Sequence, residues 1–280
     1  MNEFRKIGRP KAITEIVSVL LVLVMFGIPF LFVLLQSTKT RADAIRMTLT
    51  LPEEFAAIEN YSHIIALHDN MVIRGFLNSL YITVLSVVIL VLFCSMAGYV
   101  LNRRRGKLTS VANYLSLIGL MIPPAIMPTI WVLDFLGIFR TLYAMILVQI
   151  ALQAPFTIML YRAFSASIPR EIDEAAVIDG CGPVRLFFNV MLPLLKPVTA
   201  TVVVLTAVHI YNDFANALYF LPGAQNVTVQ ITMFNFFGRY ASSWNLLFAN
   251  VVLISLPPLL LFIFFSKRIV SGMVAGAIKG

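Results

Sequence analysis

Six long apolar windows follow one another along the chain, at about 14–36, 77–101, 110–137, 141–164, 198–220 and 246–266, and Lys and Arg stay near their ends. A helix that crosses a bilayer needs roughly 20 mainly apolar residues. The pattern therefore predicts an all-α, polytopic membrane protein of six transmembrane helices, with a leading segment over 1–13, a membrane domain over 14–266 and a tail over 267–280. The first window is longer than the apolar stretch of a secretory signal, and no small-residue cleavage site follows it at Gln36-Ser37-Thr38-Lys39, so it is expected to remain as the first helix. The longest polar interval, about 37–76, mixes Asp43, Glu53, Glu54, Glu59 and Asp69 with Ile58, Tyr61, Ile64, Ile65 and Leu67, which predicts a short helix at the membrane surface.

The interval 167–197 is patterned differently. Ser167 can cap a helix whose first turn holds Pro169, and Glu171, Asp173 and Glu174 suit the positive end of its dipole. Glycine accepts the left-handed conformation that ends helices, so this helix should stop at Asp179-Gly180; Pro183 then opens a second one that must end near Pro193. Ala175 and Ala176 give the first helix a low profile, and Phe187 and Phe188 can anchor the second helix or fill a partner's pocket. Two short helices hinged on glycine between two spans read as a plug for a socket on another protein. The plainer reading is an amphipathic loop lying on the membrane.

Composition and charge orient this picture. Hydrophobic residues make up 60% of the chain and charged ones 12%, whereas a soluble domain runs to roughly 25% charged. Fifteen of the 21 basic residues fall on one side if the N-terminus is cytoplasmic: four before the first window, Arg103, Arg104, Arg105 and Lys107 after the second, Arg162, Arg170, Arg185 and Lys196 after the fourth, and Lys267, Arg268 and Lys279 at the end. Lys39, Arg41, Arg46, Arg74, Arg140 and Arg239 fall on the other. This bias is the positive-inside rule, and it places both termini and the 167–197 loop in the cytoplasm. The net charge of +8 is thereby a topology signal. Basic residues spread over four loops make no patch for nucleic acid, which is not an expected partner.

Within the membrane windows, ionisable residues are expensive and each is a functional candidate. Thr206, His209, Asn212, Asp213 and Asn216 recur at three- and four-residue spacings, so they are expected on one stripe of the fifth helix. Amide and carboxylate groups there could border a path for a hydroxylated solute; equally, they could bond a neighbouring helix and hold the bundle together. Gln149 and Gln153 on the fourth window carry the same two readings. Pro123, Pro124, Pro128, Pro257 and Pro258 can bend their spans, which suits a gate or plain packing. Trp131 and Trp244 are expected at the outer interface. Cys94 and Cys181 lie far apart and are expected as small packing residues, and the scattered His63, His68 and His209 form no metal-binding motif.

Glu174-Ala175-Ala176, three residues, Gly180, nine residues, Val190, then Leu192-Pro193 resembles the coupling motif of the membrane subunits of bacterial ATP-binding-cassette importers. Val190 stands where that motif has isoleucine, and Cys181 where it commonly has alanine. Further runs, Glu59-Asn60-Tyr61, Phe76-Leu77-Asn78-Ser79, Tyr211-Asn212-Asp213-Phe214 and the ending Ser271 to Gly280, are similar to the shorter permease of the maltose-type carbohydrate importers. The resemblance implies that Glu174, Ala175, Ala176, Asp179, Gly180, Leu192 and Pro193 dock on a cytoplasmic ATPase, and that the tail, through Gly272, Gly276, Lys279 and Gly280, reaches between two ATPase subunits. It implies a heterodimer with a second permease, a periplasmic or extracellular solute-binding protein and a sugar substrate. His209, Asn212, Asp213, Asn216, Gln149 and Gln153 are then the candidates for the path.

No phosphate-binding G-x-x-x-x-G-K-[ST] loop occurs in the sequence, so ATP and Mg²⁺ are expected on the partner ATPase, with no cofactor and no catalytic role in this chain. Two alternatives stay open. One is a permease for another small solute, such as one of glycerol-phosphate type. The other is an ion-coupled secondary transporter, which would commonly carry inverted repeats, and none is found.

Overall fold

The computed structural model describes residues 9–66, 70–223, 225–233 and 243–277, with side chains described over 14–66, 70–223, 225–233 and 243–265. The helices, in chain order, are α1 (Arg9–Val22), continued through a π-helical turn at Leu23–Gly27 into α2 (Ile28–Thr38), then α3 (Arg41–Ala44), α4 (Ala57–Ala66), α5 (Met71–Arg103), α6 (Lys107–Met121), α7 (Ile126–Phe135), α8 (Leu142–Ser165), α9 (Glu171–Ile178), α10 (Pro183–Arg185), a π-helical segment Leu186–Met191, α11 (Leu192–Leu194), α12 (Lys196–Tyr211), α13 (Ala215–Phe220) and α14 (Trp244–Ala277). A helical stretch also covers 229–233.

Four helices are long and apolar enough to cross a membrane, Thr14–Thr38, Met71–Arg103, Leu142–Ser165 and Trp244–Phe265, and a bent pair, Pro183–Leu194 with Lys196–Tyr211, is a fifth if taken as one span. The first, second, fourth and sixth windows thus form continuous helices. The third does not: α6 stops at Met121 and α7 starts at Ile126, with Ile122 extended between them. Pro123 supplies no N–H and pushes the residue before it out of the helical region, so two adjacent prolines outweigh the apolar pattern around them. The fifth is broken as well, since α12 ends at Tyr211 and α13 resumes only at Ala215. By contrast Pro155, Pro257 and Pro258 sit inside unbroken helices. The tail, expected beyond residue 266, continues as helix through Ala277.

The chain forms two compact units, Met1–Val72 with Met233–Ser255 and Ile73–Thr232 with Leu256–Gly280. In the first, the interval after α2 is held by side chains. Asn60 on α4 donates to the carbonyls of Ser37 at 3.0 Å and Lys39 at 2.9 Å, and accepts from Asn245 on α14 at 2.7 Å. Ile64, Val72, Leu246 and Ala249 pack beneath it. Lys39 is fully buried, yet its ammonium donates to the carbonyl of Thr48 at 2.9 Å and to its hydroxyl at 3.1 Å, with Asp43 at 3.8 Å. A buried charge persists only when paired in this way. A short helix does form in this interval, α4, with Ile58 outward and Asn60 and Ile64 inward.

In the second unit, α5 and α8 approach closely at Gly98. A Cβ built on Gly98 would lie 2.6 Å from that of Tyr161, so no larger residue fits without movement. The Tyr161 hydroxyl meets that of Thr199 at 3.1 Å and ties α8 to α12. On the other side of α8, Arg162 bonds Asn113 and the ring of Pro155 fills the space above Gly119, which seats α6.

Candidate functional site

The 167–197 interval folds as a hinged elbow. Glu171, Asp173 and Glu174 occupy the first turn of α9, where unpaired N–H groups favour negative charge. The helix starts three residues later than a cap at Ser167 implies, with Arg170 at the capping position. Ser167 does not cap it; its hydroxyl donates to the carbonyl of Phe164 at 2.7 Å and closes α8 instead. At the other end the hinge is as expected. Gly180 has φ +78°, its N–H reaches the carbonyl of Val177 at 3.0 Å, and that of Cys181 reaches Ala176 at 2.9 Å. These are the two bonds of a Schellman motif, which requires a left-handed residue at Gly180.

Pro183 opens the second limb at the first helical position, after an extended Gly182. The limb then widens into π-helix over Leu186–Met191. Pro193 has no N–H to return to the chain four residues back, which suits a ladder loosened there. At Leu195 the path turns by 75° into α12. Leu192 is half-buried and Pro193 exposed at this turn.

The elbow has two faces. Ala176, Leu186, Phe187 and Met191 are buried against the molecule, whereas Glu174, Ala175, Asp179 and Gly180 are exposed. With them on the outer face stand Val177, Ile178 and Val184, 60%, 85% and 70% exposed. Phe187 anchors inward, 5.8 Å from the ring of Tyr99; Phe188 remains 42% exposed. Sequence reasoning named Glu174, Ala175, Asp179 and Gly180 of this face, set Ala176 beside Ala175 although its side chain is buried inward, and missed the three exposed aliphatic side chains. Their signal lay in the spacing: on a helix that shows Ala176 to the interior, Ile178 falls on the opposite side and Val177 beside it, both turned away from the packed face.

The partners of Asp173 are not visible in the sequence. Tyr99 and Arg103, one turn apart on the last turn of α5, both meet Asp173 of α9. The Tyr99 hydroxyl donates to Oδ1 at 3.1 Å and Arg103 Nε stands 2.5 Å from Oδ2. Arg103 had been counted only as one of a basic run, and a linear charge count cannot tell which arginine turns inward.

Along the fifth window the polar stripe is divided by the end of α12. Thr206 is buried and donates to the carbonyl of Val202 at 2.7 Å, while His209 is exposed. Asn212 accepts from Gln230 at 3.0 Å. Asp213 is half-buried and takes the N–H of Asn216 at 3.0 Å, its side-chain amide at 2.7 Å and the amide of Gln149. It therefore caps α13 and links it to α8. Gln149 is fully buried; Gln153, one turn on, is half-buried. The structure thus joins Gln149, Asp213 and Asn216, and leaves His209 and Asn212 outside that group.

Gly272 and Gly276 lie on the last part of α14, whereas Lys279 and Gly280 fall outside the described residues, as do Leu67, His68, Asp69 and Arg239. Cys94 is buried and Cys181 half-buried, both as free thiols. Among the described residues no group of His, Cys, Asp and Glu is arranged to hold a metal ion.

Residues 91–275 match the family described as binding-protein-dependent transport system inner membrane component. Among curated relatives, the melibiose/raffinose/stachyose import permease protein MelC of Bacillus subtilis is 34% identical over 256 residues, which cover 90% of this chain and 91% of MelC. The diacetylchitobiose uptake system permease protein NgcG of Streptomyces coelicolor is 31% identical, over 90% of this chain and 84% of NgcG. The arabinooligosaccharides transport system permease protein AraQ of Halalkalibacterium halodurans is 30% identical, over 90% and 91%. A chain in the crystal structure of a bacterial ABC transporter involved in the import of the acidic polysaccharide alginate superimposes with a TM-score of 0.78 at 23% identity, over 93% of this chain and 98% of that one. A second, from the alginate transporter in complex with alginate pentasaccharide-bound periplasmic protein, gives 0.66 at 14% identity. At these identities the two structures speak to the fold.

Proposed function

The chain belongs to the binding-protein-dependent transport system inner membrane components, which are transport subunits and not enzymes, and from that premise we propose that it lines half of the path of an ATP-driven importer of sugars or oligosaccharides. The sugar class rests on relatives that cover most of the chain and are named for melibiose, raffinose, diacetylchitobiose or arabino-oligosaccharides. The family sets aside the ion-coupled alternative. We place six crossings in the membrane, with both termini and the elbow in the cytoplasm, following the bias of basic residues. The broken third and fifth windows each count as one crossing.

One observation carries the reading: an apolar face exposed at the tip of a hinge with fixed geometry. Val177, Ile178 and Val184 stand out beside Glu174 and Ala175. Apolar surface of this kind, rimmed by polar groups, marks a protein contact. We assign it to the cleft of a cytoplasmic ATPase subunit, which holds ATP and Mg²⁺. The assembly includes two such subunits, a second permease and a solute-binding protein on the other side. Glu174 supplies the charged contact and Gly180 the bend, so closure of the ATPase pair draws on the elbow and tilts the spans.

In the path, Asn212 and His209 are the groups free of the Asp213 cluster and offer amide and imidazole to sugar hydroxyls. Gln149, Asp213 and Asn216 hold α8 to α13 and shape the path rather than line it. The test is placement of a photo-crosslinking residue at Ile178 in cells that express the whole transporter. The expected product is a covalent adduct with the ATPase subunit; a crosslink to lipid alone, with none to an ATPase, would remove the assignment and return the elbow to a surface loop.

A further inference from the structure

We propose that Arg103, aided by Tyr99, is a positioning residue that makes the elbow and α5 one mechanical body, so that force entering at α9 is delivered to this span. The proposal rests on the importer reading for its purpose, but the joint itself stands on geometry. Asp173 turns both oxygens to α5: Oδ1 accepts from the Tyr99 hydroxyl at 3.1 Å, and Oδ2 forms an ion pair with Arg103, 2.5 Å from an Nε whose N–H makes no aligned hydrogen bond. The other end of the guanidinium donates from Nη2 to the carbonyls of Ile168 at 3.0 Å and Pro169 at 3.4 Å, which lead into α9. The ring of Tyr99 lies 5.9 Å from the Arg103 guanidinium carbon and 5.8 Å from Phe187 on the second limb. One turn of α5 therefore grips the entry to the elbow, its first helix and its second limb.

Three features make this joint the stiff route. The Arg103 and Asp173 side chains are 11% and 16% exposed, so solvent and salt screen the pair less than they would a surface pair. Arg104 and Arg105, its neighbours in sequence, are exposed. Next, α9 has only 8 residues and cannot hold its own direction; a helix so short draws stability from what it packs on. Finally, α5 runs unbroken for 33 residues, about 48 Å at 1.5 Å per residue, whereas α12 leaves the elbow through a 75° bend and breaks after Tyr211. A planar guanidinium that sets its charge against the carboxylate on one side and donates to two carbonyls on the other suits this task, and a lysine would not replace it.

The joint is tested in two settings with the full chain. In lipid nanodiscs, with Cys94 and Cys181 replaced by serine, spin labels at Val88 on α5 and Glu171 on α9 report one distance. A single narrow distribution is expected for the parent, a broadened one for Arg103→Ala and for Asp173→Asn, and narrowing again in the exchange Arg103→Asp with Asp173→Arg. An unbroadened distribution in Arg103→Ala overturns the joint whatever the complex transports. In the reconstituted complex, with raffinose, melibiose and arabino-oligosaccharides as trial sugars, Arg103→Ala is expected to keep ATP hydrolysis while sugar moved per ATP falls at least about tenfold. An unchanged ratio, or hydrolysis and uptake lost together with the ATPase subunit, shows that Arg103 only staples the fold. Should Arg103→Ala fail to insert, Arg103→Lys serves in both settings: it keeps the charge and loses the fork, and a distribution and ratio equal to the parent's overturn the proposal.

Discussion

At Gly180 the backbone takes φ +78°, a conformation that an L side chain adopts only with strain, and nothing lies within 4 Å of where a Cβ would stand. The glycine is thus required by its backbone and not by space. Gly180→Val should cost about 1–2 kcal/mol locally, which opens the hinge while leaving the spans in place. The expected outcome is normal membrane insertion with weaker retention of the ATPase subunit on co-purification; full retention would show that the left-handed turn is incidental. Glu174 and Gly180 were legible in the sequence because helix ends obey local rules of charge and chirality. The partners of Lys39, Tyr99, Arg103 and Asp173 were not. A buried ammonium at Lys39 and a turned-in guanidinium at Arg103 depend on partners that the fold supplies, the latter 70 positions away in sequence. The stripe from Thr206 to Asn216 failed for a related reason, since a shared face presumes a helix that does not break at Tyr211.

Between elements, the contact of α5 with α8 leaves no slack. A side chain at Gly98 would meet Tyr161, the N–H of Arg162 at 2.8 Å and the carbonyl of Ile158 at 3.0 Å, two of them backbone or close to it. Gly98→Val should therefore destabilise the purified protein by about 1–3 kcal/mol, seen as a lower melting temperature in detergent; an unchanged midpoint would mean that the two helices slide apart freely. The apolar windows foretold where helices lie, because bilayer thickness sets their length. They did not foretell the breaks at Ile122–Ala125 and Asn212–Phe214, where proline chemistry and an aspartate cap override hydropathy. Nor is a proline decisive by itself: Pro257 and Pro258 ride inside α14, where a bend replaces a break. The elbow showed its two limbs and hinge to sequence reasoning, but not the π-helical widening ahead of Pro193 or the 75° turn into α12.

For the whole molecule, the account divides labour between an elbow that receives motion and spans that open a path. A subunit that hydrolyses no ATP must borrow its energy through contact, and a rigid, part-apolar tip behind a charged residue is suited to that contact. On the proposed reading the partner is an ATPase subunit, and the long unbroken α5 gives the pull a lever into the membrane. The most direct measurement is the number of sugar molecules imported per ATP hydrolysed by the reconstituted transporter carrying Glu174→Lys, against the parent, with raffinose, melibiose and arabino-oligosaccharides as trial sugars. The account predicts that hydrolysis persists while the ratio drops at least about tenfold, a loss of roughly 1.4 kcal/mol in coupling. A ratio equal to that of the parent would contradict it.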